Sequence, residues 1–143
     1  MAGSAVSTVT SPKGRGIVRV DVDVTCVSGA VSAQSIGSFF GRLVGVLTDG
    51  TAGAGATMTV TADILLTDAA TGAPILSDLT FATSDFYRPT TPIADSAGVA
   101  VTAAATATNV NRDIYVGGKL NIAIANATTT DTGRVSFIFD ESR

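Results

Sequence analysis

The sequence predicts an all-β fold, an antiparallel β-sandwich or jelly roll of about seven to eight strands. Several segments alternate apolar and polar residues with the two-residue period of a strand, and glycine- or aspartate-containing turn signals separate them. No segment combines helix caps with a long amphipathic pattern. The 143 residues suit one domain, which we place at residues 13–143, after a flexible N-terminal arm at residues 1–12.

The clearest strand lies at residues 18–26, where four valines and Cys26 alternate with charged or hydroxyl-bearing residues. In a half-buried strand the valines face the core, whereas Arg19, Asp21 and Asp23 face solvent. Cys26 belongs to the apolar side and is expected to be a buried, unreactive thiol. It is the one cysteine of the sequence, so the fold does not depend on a disulfide or an oxidising compartment.

The following segment is less regular. Residues 28–37 are loop-like, and residues 39–47 are apolar and rich in strand-forming residues. We predict a strand there, with bulges at Gly41 and Gly45, because glycine inside a strand often marks a bulge. A short helical turn at residues 35–40 is the alternative.

Two pairs of segments predict hairpins. Residues 57–66 alternate and are followed by a loop and a second strand pattern at residues 75–81. Near the end of the chain, residues 120–125 and 134–140 also alternate and are expected to pair as a closing hairpin. The residues of the first segment that we expect to face the core are Met58, Val60, Ala62, Ile64 and Leu66.

The stretch between these hairpins is the longest irregular one. Residues 84–98 include Pro89 and Pro92, and proline does not occupy a central strand because it lacks the N–H group of the ladder. Residues 99–110 are rich in alanine and threonine. They predict a weak strand, with a helix as the alternative that the alanines allow.

The composition excludes several classes of function. A net charge of −3 argues against nucleic acid as a partner, because phosphate binding needs a basic surface. The sequence has no histidine, which excludes Ser-His-Asp triads, Cys-His pairs and ordinary zinc sites. Residues 1–10 lack the pattern of a signal peptide, and no apolar run approaches the roughly 20 residues of a membrane span. We therefore expect no membrane contact, no cofactor and no enzymatic activity.

Carboxylates are the remaining candidates for chemistry. Asp21 and Asp23 share one strand face and offer a metal or acid–base pair, but a solvated outer face is the preferred interpretation. Calcium would draw on Asp68, Asp78 or Asp131, none of which has the spacing of an EF-hand loop. Ordinary turn chemistry accounts for such residues, so no metal site is predicted.

The best candidates for partner contacts are aromatic and arginine residues outside the alternating strands. Protein interfaces are enriched in these residue types. In the alternative interpretation the aromatics of the 84–98 stretch fold back as a lid over one end of the sandwich. The candidate contact residues are Phe86, Tyr87, Arg88, Arg112 and Tyr115.

Roughly residues 60–140 also resemble small β-sandwich structural proteins encoded in the head and neck regions of tailed bacteriophages. The resemblance is carried by residues 66–76, the Tyr-Arg-Pro at 87–89, the segment 115–122 and the Gly-x-Val-x-Phe strand at 133–139. It implies a virion protein assembled in the host cytoplasm, present as a homo-oligomeric trimer or ring, and bound to the major capsid protein or other virion proteins. It brings no catalytic residues.

Within that resemblance, a capsid decoration or cement protein that stabilises the head lattice is the preferred role, because the chain is small and has no long helix to line a channel. A head–tail connector, neck or tail-ring component is the first alternative. A β-sandwich adhesin or receptor-binding module is the second, although the sequence has no tryptophan and only two tyrosines for a sugar-binding platform.

Overall fold

The computed structural model describes residues 3–10, 16–81, 85–92 and 111–141. These ranges are all-β, and no residue in them is helical. The pairing is antiparallel apart from one short parallel contact between the fourth and tenth strands. The strands are β1 (Ser4–Val9), β2 (Ile17–Thr25), β3 (Val31–Asp49), β4 (Ala56–Thr57), β5 (Asp63–Asp68), β6 (Pro74–Thr80), β7 (Asp85–Tyr87), β8 (Thr90–Pro92), β9 (Asn111–Ala125) and β10 (Asp131–Asp140).

The main sheet has the strand order β1-β2-β10-β3-β9-β5-β6. The long β3 belongs to both halves of the sheet, because its first part pairs with β9 and its last part pairs with β10. The short β7 lies along the end of β3, and β8 lies along the start of β9. The sheet therefore folds over itself around β3, which confirms the expected all-β, sandwich-like class with more strands than predicted.

One apolar core fills the space between the two halves. It takes buried side chains from β2 and β10 on one side and from β5 and β9 on the other. The rings of Phe39 and Phe139 stack with centroids 4.5 Å apart, and Phe137 lies beside them. Phe81 lies directly over Gly133, where a Cβ atom would come within 2.9 Å of the ring. The two halves are thus joined by close packing as well as by β3.

The strand β3 is longer than predicted. It starts at Val31, so the loop at residues 28–37 and the helical turn at residues 35–40 are both wrong. Ser28 and Gly29 have positive φ angles, and they complete the change of direction in a turn much shorter than expected. The bulge prediction is confirmed at Gly45, next to a register shift against β10, but Gly41 pairs with Val116 without a shift.

The structure also differs from the predicted flexible arm at residues 1–12. Ser4–Val9 form β1, which pairs with β2 over its whole length. Strand β2 pairs with β10 along its other edge, so β1 occupies the edge of β2 that β10 leaves open. The valines and threonine of this segment favour strand geometry despite its loop-like composition. Residues 1–2 and 11–15 lie outside the described residues.

The expected strand at residues 57–66 is broken by a turn. The N–H of Ala62 donates to the carbonyl oxygen of Thr59, which closes a turn and leaves Val60 74% exposed. The prediction that Val60 faces the core is therefore wrong, whereas the other four residues predicted to face the core are buried. The hairpin that follows is confirmed, with β5 and β6 as its strands.

The prediction of a closing hairpin at residues 120–125 and 134–140 is wrong. Strands β9 and β10 do not pair with each other; each pairs with β3, on opposite edges of that strand. The connection at residues 126–130 crosses from one half of the sheet to the other, and it begins with Asn126 at a positive φ of 59°. The predicted irregular stretch contains the short β7 and β8, and the weak strand predicted at residues 99–110 lies outside the described residues.

Candidate interaction surface

Part of the outer face of β2 and β10 is a charged ladder, which we define as Arg19, Asp21, Asp23, Arg134 and Ser136. Asp21 lies opposite Ser136, and Asp23 lies opposite Arg134. The Arg19 and Asp21 side chains are 2.8 Å apart, and Arg134 and Asp23 are 2.7 Å apart. Ser136 donates a hydrogen bond to Asp21. Both carboxylates thus face outward as expected; β10 supplies a partner to each of them, and β2 itself supplies Arg19 to Asp21.

The electrostatics of Asp21 reflect this pairing. Partial burial alone would raise the pKa of its carboxyl group. The hydrogen bonds from Ser136 and Arg19, with the charges of Arg19 and Arg134, outweigh that effect and hold the pKa below its ordinary value. The carboxylate form of Asp21 is therefore favoured, and its bond to Ser136, together with the bond of Asp23 to Arg134, stabilises the join between β2 and β10.

The neighbouring part of the same outer side has a different character. We define the aromatic face as Ile17, Phe40, Phe86, Tyr115 and Ile138. Tyr115 lies directly opposite Arg42 of β3, and Arg42 lies opposite Asp140, which in turn faces Ile17. Directly opposed residues of antiparallel strands project to the same side. This row therefore crosses four strands on the outer side of the sheet.

Phe86 completes this surface from β7. A Cβ atom on Gly45 would come within 2.7 Å of the Phe86 ring and 3.7 Å of Ile138. The ring thus covers Gly45 beside Ile138, and the absence of a side chain at position 45 makes room for it.

The aromatic face is exposed although it is built on strands. The exposed fractions are 60% for Phe40, 68% for Tyr115, 56% for Phe86 and 55% for Ile17. Single exposed apolar residues are common, but several on adjoining strands form a patch of the kind that marks interaction sites. Because backbone hydrogen bonds between the paired strands fix the position of these residues, a partner would bind to a surface that is already ordered.

A fixed cation lies at the centre of the aromatic face. The Arg42 guanidinium is 3.0 Å from Asp113 and 3.1 Å from Asp140. Its hydrogen bonds to Asp113 and then to Asp140 raise its pKa above the ordinary value. Since Arg42 already has two carboxylate partners, the surface offers a partner apolar and aromatic contact rather than a free charge.

The structure separates the five predicted contact residues. Phe86 and Tyr115 lie on the aromatic face, whereas Tyr87 points to the opposite side of β7 and packs against the core. Arg88 is exposed just after β7. Arg112 lies on β9, paired with Thr91, and its side chain is outside the described part of the structure. Of the two aromatic residues of β7, Tyr87 thus packs inward and Phe86 stays exposed.

Phe40 and Ile17 are members of the aromatic face that the sequence interpretation missed. One signal was available for Phe40. Phe39 and Phe40 are consecutive residues of a strand, so only one of the two rings can face the core. Ile17 could not be found in this way, because its neighbours on the surface come from β10 and β3.

The candidate calcium ligands have structural roles where they are described. Asp131 is buried and accepts backbone hydrogen bonds of 2.9 Å from Thr59 and Thr128. Asp68 accepts two bonds from Thr71 within its turn. The side chain of Asp78 lies outside the described residues. Within the ranges that the structure covers, no three acidic, cysteine or histidine residues are grouped as metal ligands.

A surface cleft of about 740 Å³ lies at the end of β2 and β10, away from the aromatic face. Its walls include Thr25, Thr132 and the glycine-containing loop at residues 53–55. The Thr132 hydroxyl already accepts a bond from Gly55 and donates one to Ala52. Cys26 is part of the cleft wall but is only 2% exposed, and burial together with the charge of Asp131 raises its thiol pKa. The thiol is buried as predicted.

Comparisons with models of known protein families, with characterised proteins and with solved structures found no match. The residues covered by the structure include no helix long and apolar enough to cross a membrane. The functional interpretation therefore depends on the aromatic face and on the sequence resemblance.

Proposed function

We propose that this protein is a non-enzymatic structural subunit of a tailed-bacteriophage virion, a decoration or cement protein that binds the capsid lattice through its aromatic face. One observation carries the proposal. Ile17, Phe40, Phe86 and Tyr115 are each more than half exposed, yet strand pairing brings them to one side of the sheet. The sequence resemblance supplies the class of partner.

The geometry of the aromatic face suits a subunit that attaches to a preformed surface. Binding through an ordered strand face loses little conformational entropy, which favours association. Aromatic side chains supply large apolar contact areas, and they are common among the residues that dominate interface energetics. The satisfied charges around Arg42 would fix the orientation of a partner, since a misplaced carboxylate there would meet Asp113 and Asp140.

The copy number in purified virions tests the role. Quantitative mass spectrometry would compare this protein with the major capsid protein of the same particles. A ratio that matches a lattice-wide site supports decoration. A ratio equivalent to one ring per particle would instead assign the protein to the neck or tail. Absence from particles would contradict the virion proposal and leave an adhesin or binding module.

A double variant tests the surface itself. Phe40→Ser with Tyr115→Ser should reduce binding to capsids that lack this protein at least tenfold, because central aromatic residues contribute about 2 kcal/mol or more each at interfaces. Val60→Ser is the matched control, since Val60 is 74% exposed and outside the aromatic face. Equal binding by the double variant and the control would overturn the assignment of this face.

A further inference from the structure

The edge strand β1 presents two different sides to its surroundings. Backbone groups of even-numbered residues face β2, as shown by the 2.9 Å hydrogen bond from the Thr10 N–H to the Arg19 carbonyl. Those of odd-numbered residues face away, as shown by the 3.0 Å bond from the Ala5 N–H to Gln34 Oε1. This alternation is the ordinary geometry of an antiparallel edge strand.

Only the first part of this outward side is occupied. Gln34 accepts from Ala5 and donates to the Gly3 carbonyl at 2.8 Å, so its amide closes the start of the edge. The next outward groups are the N–H and C=O of Ser7 and Val9, both exposed residues. Among the described residues, none forms a hydrogen bond with these groups.

The sequence of β1 does nothing to block a further strand. Ser4–Val9 contain no charged residue and no proline, and these residue types are usual devices that protect a free edge. The opposite edge of the sheet differs, because β6 begins with Pro74 and includes Asp78. One edge is thus protected in its sequence, whereas the other is an uncharged template for strand addition.

We propose that β1 pairs in antiparallel fashion with β1 of a second copy of this chain, across a two-fold axis at Thr8. In this register Ser7 of each copy exchanges two hydrogen bonds with Val9 of the other copy. Thr8 then lies opposite Thr8, in a pair without hydrogen bonds between the backbones. The proposal does not depend on the function proposed above.

The occupied groups select this register. Antiparallel pairing centred on Ser7 would need the outward groups of Ala5, which Gln34 already binds. Pairing centred on Val9 would leave Ser7 opposite residue 11, beyond the end of β1. Only the axis at Thr8 uses the open groups of both Ser7 and Val9 in both copies.

The chemistry of the strand favours a second copy over a foreign strand. The pairing places hydroxyl beside hydroxyl at Thr8, and it places Val6 opposite Thr10; such uncharged cross-strand pairs are favourable or neutral. Neither strand brings a charge to the interface. The two-fold axis is perpendicular to the sheet, so both copies would present their aromatic faces on the same side.

A cysteine at the axis provides the sharpest test. Directly opposed residues in such a pair have Cα atoms about 4.5 Å apart, within the range of a disulfide. Thr8→Cys should therefore form a covalent dimer under mild oxidation, at least ten times faster than Val6→Cys. The two copies of residue 6 would be about 13 Å apart along the strands, by strand rise. The natural Cys26 is 2% exposed and serves as the background control.

A proline at Ser7 removes the interaction without cysteine chemistry. Ser7→Pro deletes an N–H that faces away from β2, so the β1–β2 ladder keeps its hydrogen bonds. We expect the variant to become monomeric in sedimentation at concentrations where the natural chain self-associates, and to match the melting temperature of the natural chain at dilutions where both are monomeric. Ser7→Thr is the matched control and should still associate.

Equal cross-linking rates for Thr8→Cys and Val6→Cys would overturn the register, and a strictly monomeric natural chain would overturn the self-pairing. The Phe40→Ser and Tyr115→Ser double variant should still cross-link through Thr8→Cys. Failure of the capsid-binding proposal is therefore distinguishable from failure of this one.

Discussion

The charged ladder and the aromatic face lie on the same outer side of one sheet, yet they differ in how much side-chain surface remains available to another molecule. In the ladder, Asp21 accepts from Ser136 of β10 and from Arg19 of its own strand, and Asp23 accepts from Arg134 of β10. In the aromatic face, Phe40 and Tyr115 remain more than half exposed. The ladder is complete within one chain, whereas the aromatic face has apolar area left for another molecule.

This difference separates stability from recognition. A group whose partners lie in the same chain contributes to the free energy of unfolding, and its replacement should be visible in an isolated subunit. An exposed aromatic contributes little to that free energy, and its replacement should be visible only when a partner is present. Replacement of a core residue beneath both regions should cause the largest loss of unfolding free energy, and it serves as the reference for the other two.

The core reference is tested with Phe137→Ala. Phe137 is fully buried and lies beside Phe139, and removal of a buried phenylalanine ring costs about 3–5 kcal/mol of unfolding free energy. Denaturant unfolding of the isolated subunit should show a loss of that size. A loss below about 1 kcal/mol would contradict the inward orientation of β10.

The ladder is tested with Asp21→Asn. The change weakens charge-assisted hydrogen bonds from Ser136 and Arg19, so we expect a loss of about 1–3 kcal/mol near pH 7. Because the folded state lowers the pKa of Asp21, this contribution is present above the ordinary aspartate pKa of about 3.9 and is lost as the pH falls through the folded value. The gap between natural and variant proteins should therefore close below about pH 4. A difference in unfolding free energy that persists at lower pH would show that the loss comes from packing and not from the charge of Asp21.

The aromatic face is tested with Tyr115→Ser, which should have the smallest effect on the isolated chain. Tyr115 is 68% exposed, and such surface changes usually stay within about 0.5 kcal/mol. The same variant should weaken partner binding, which surface plasmon resonance against immobilised capsids would measure. If unfolding changed by more than 1 kcal/mol, the distinction between the two regions would fail.

The alternation of residues 18–26 predicted both faces of β2, because a period of two determines which side each residue takes. It did not predict which strands lie side by side. Ile17, Arg42 and Tyr115 form one row only because β10 separates β2 from β3, and nothing local in the sequence encodes that order.

The closing hairpin failed for the same reason. Residues 120–125 and 134–140 are close in sequence, and the interpretation assumed that neighbours in the chain are neighbours in the sheet. In the structure each of the two strands pairs with β3 instead, on opposite edges of that strand. Composition likewise identified Phe86 and Tyr115 as contact candidates, but only the strand geometry of β7 separates Phe86 from Tyr87.

The central position of β10 imposes an order on biosynthesis. Strands β2 and β3 are joined in the sheet through β10, so a nascent chain cannot close this half of the sheet until residue 140 has left the ribosome. Translation at about 5–20 residues per second leaves β2 and β3 waiting several seconds for their common neighbour. The aromatic face draws residues from positions 17 to 138, so a product truncated before residue 138 lacks part of it. Such incomplete chains would lack part of the surface through which we propose that the protein binds its partner.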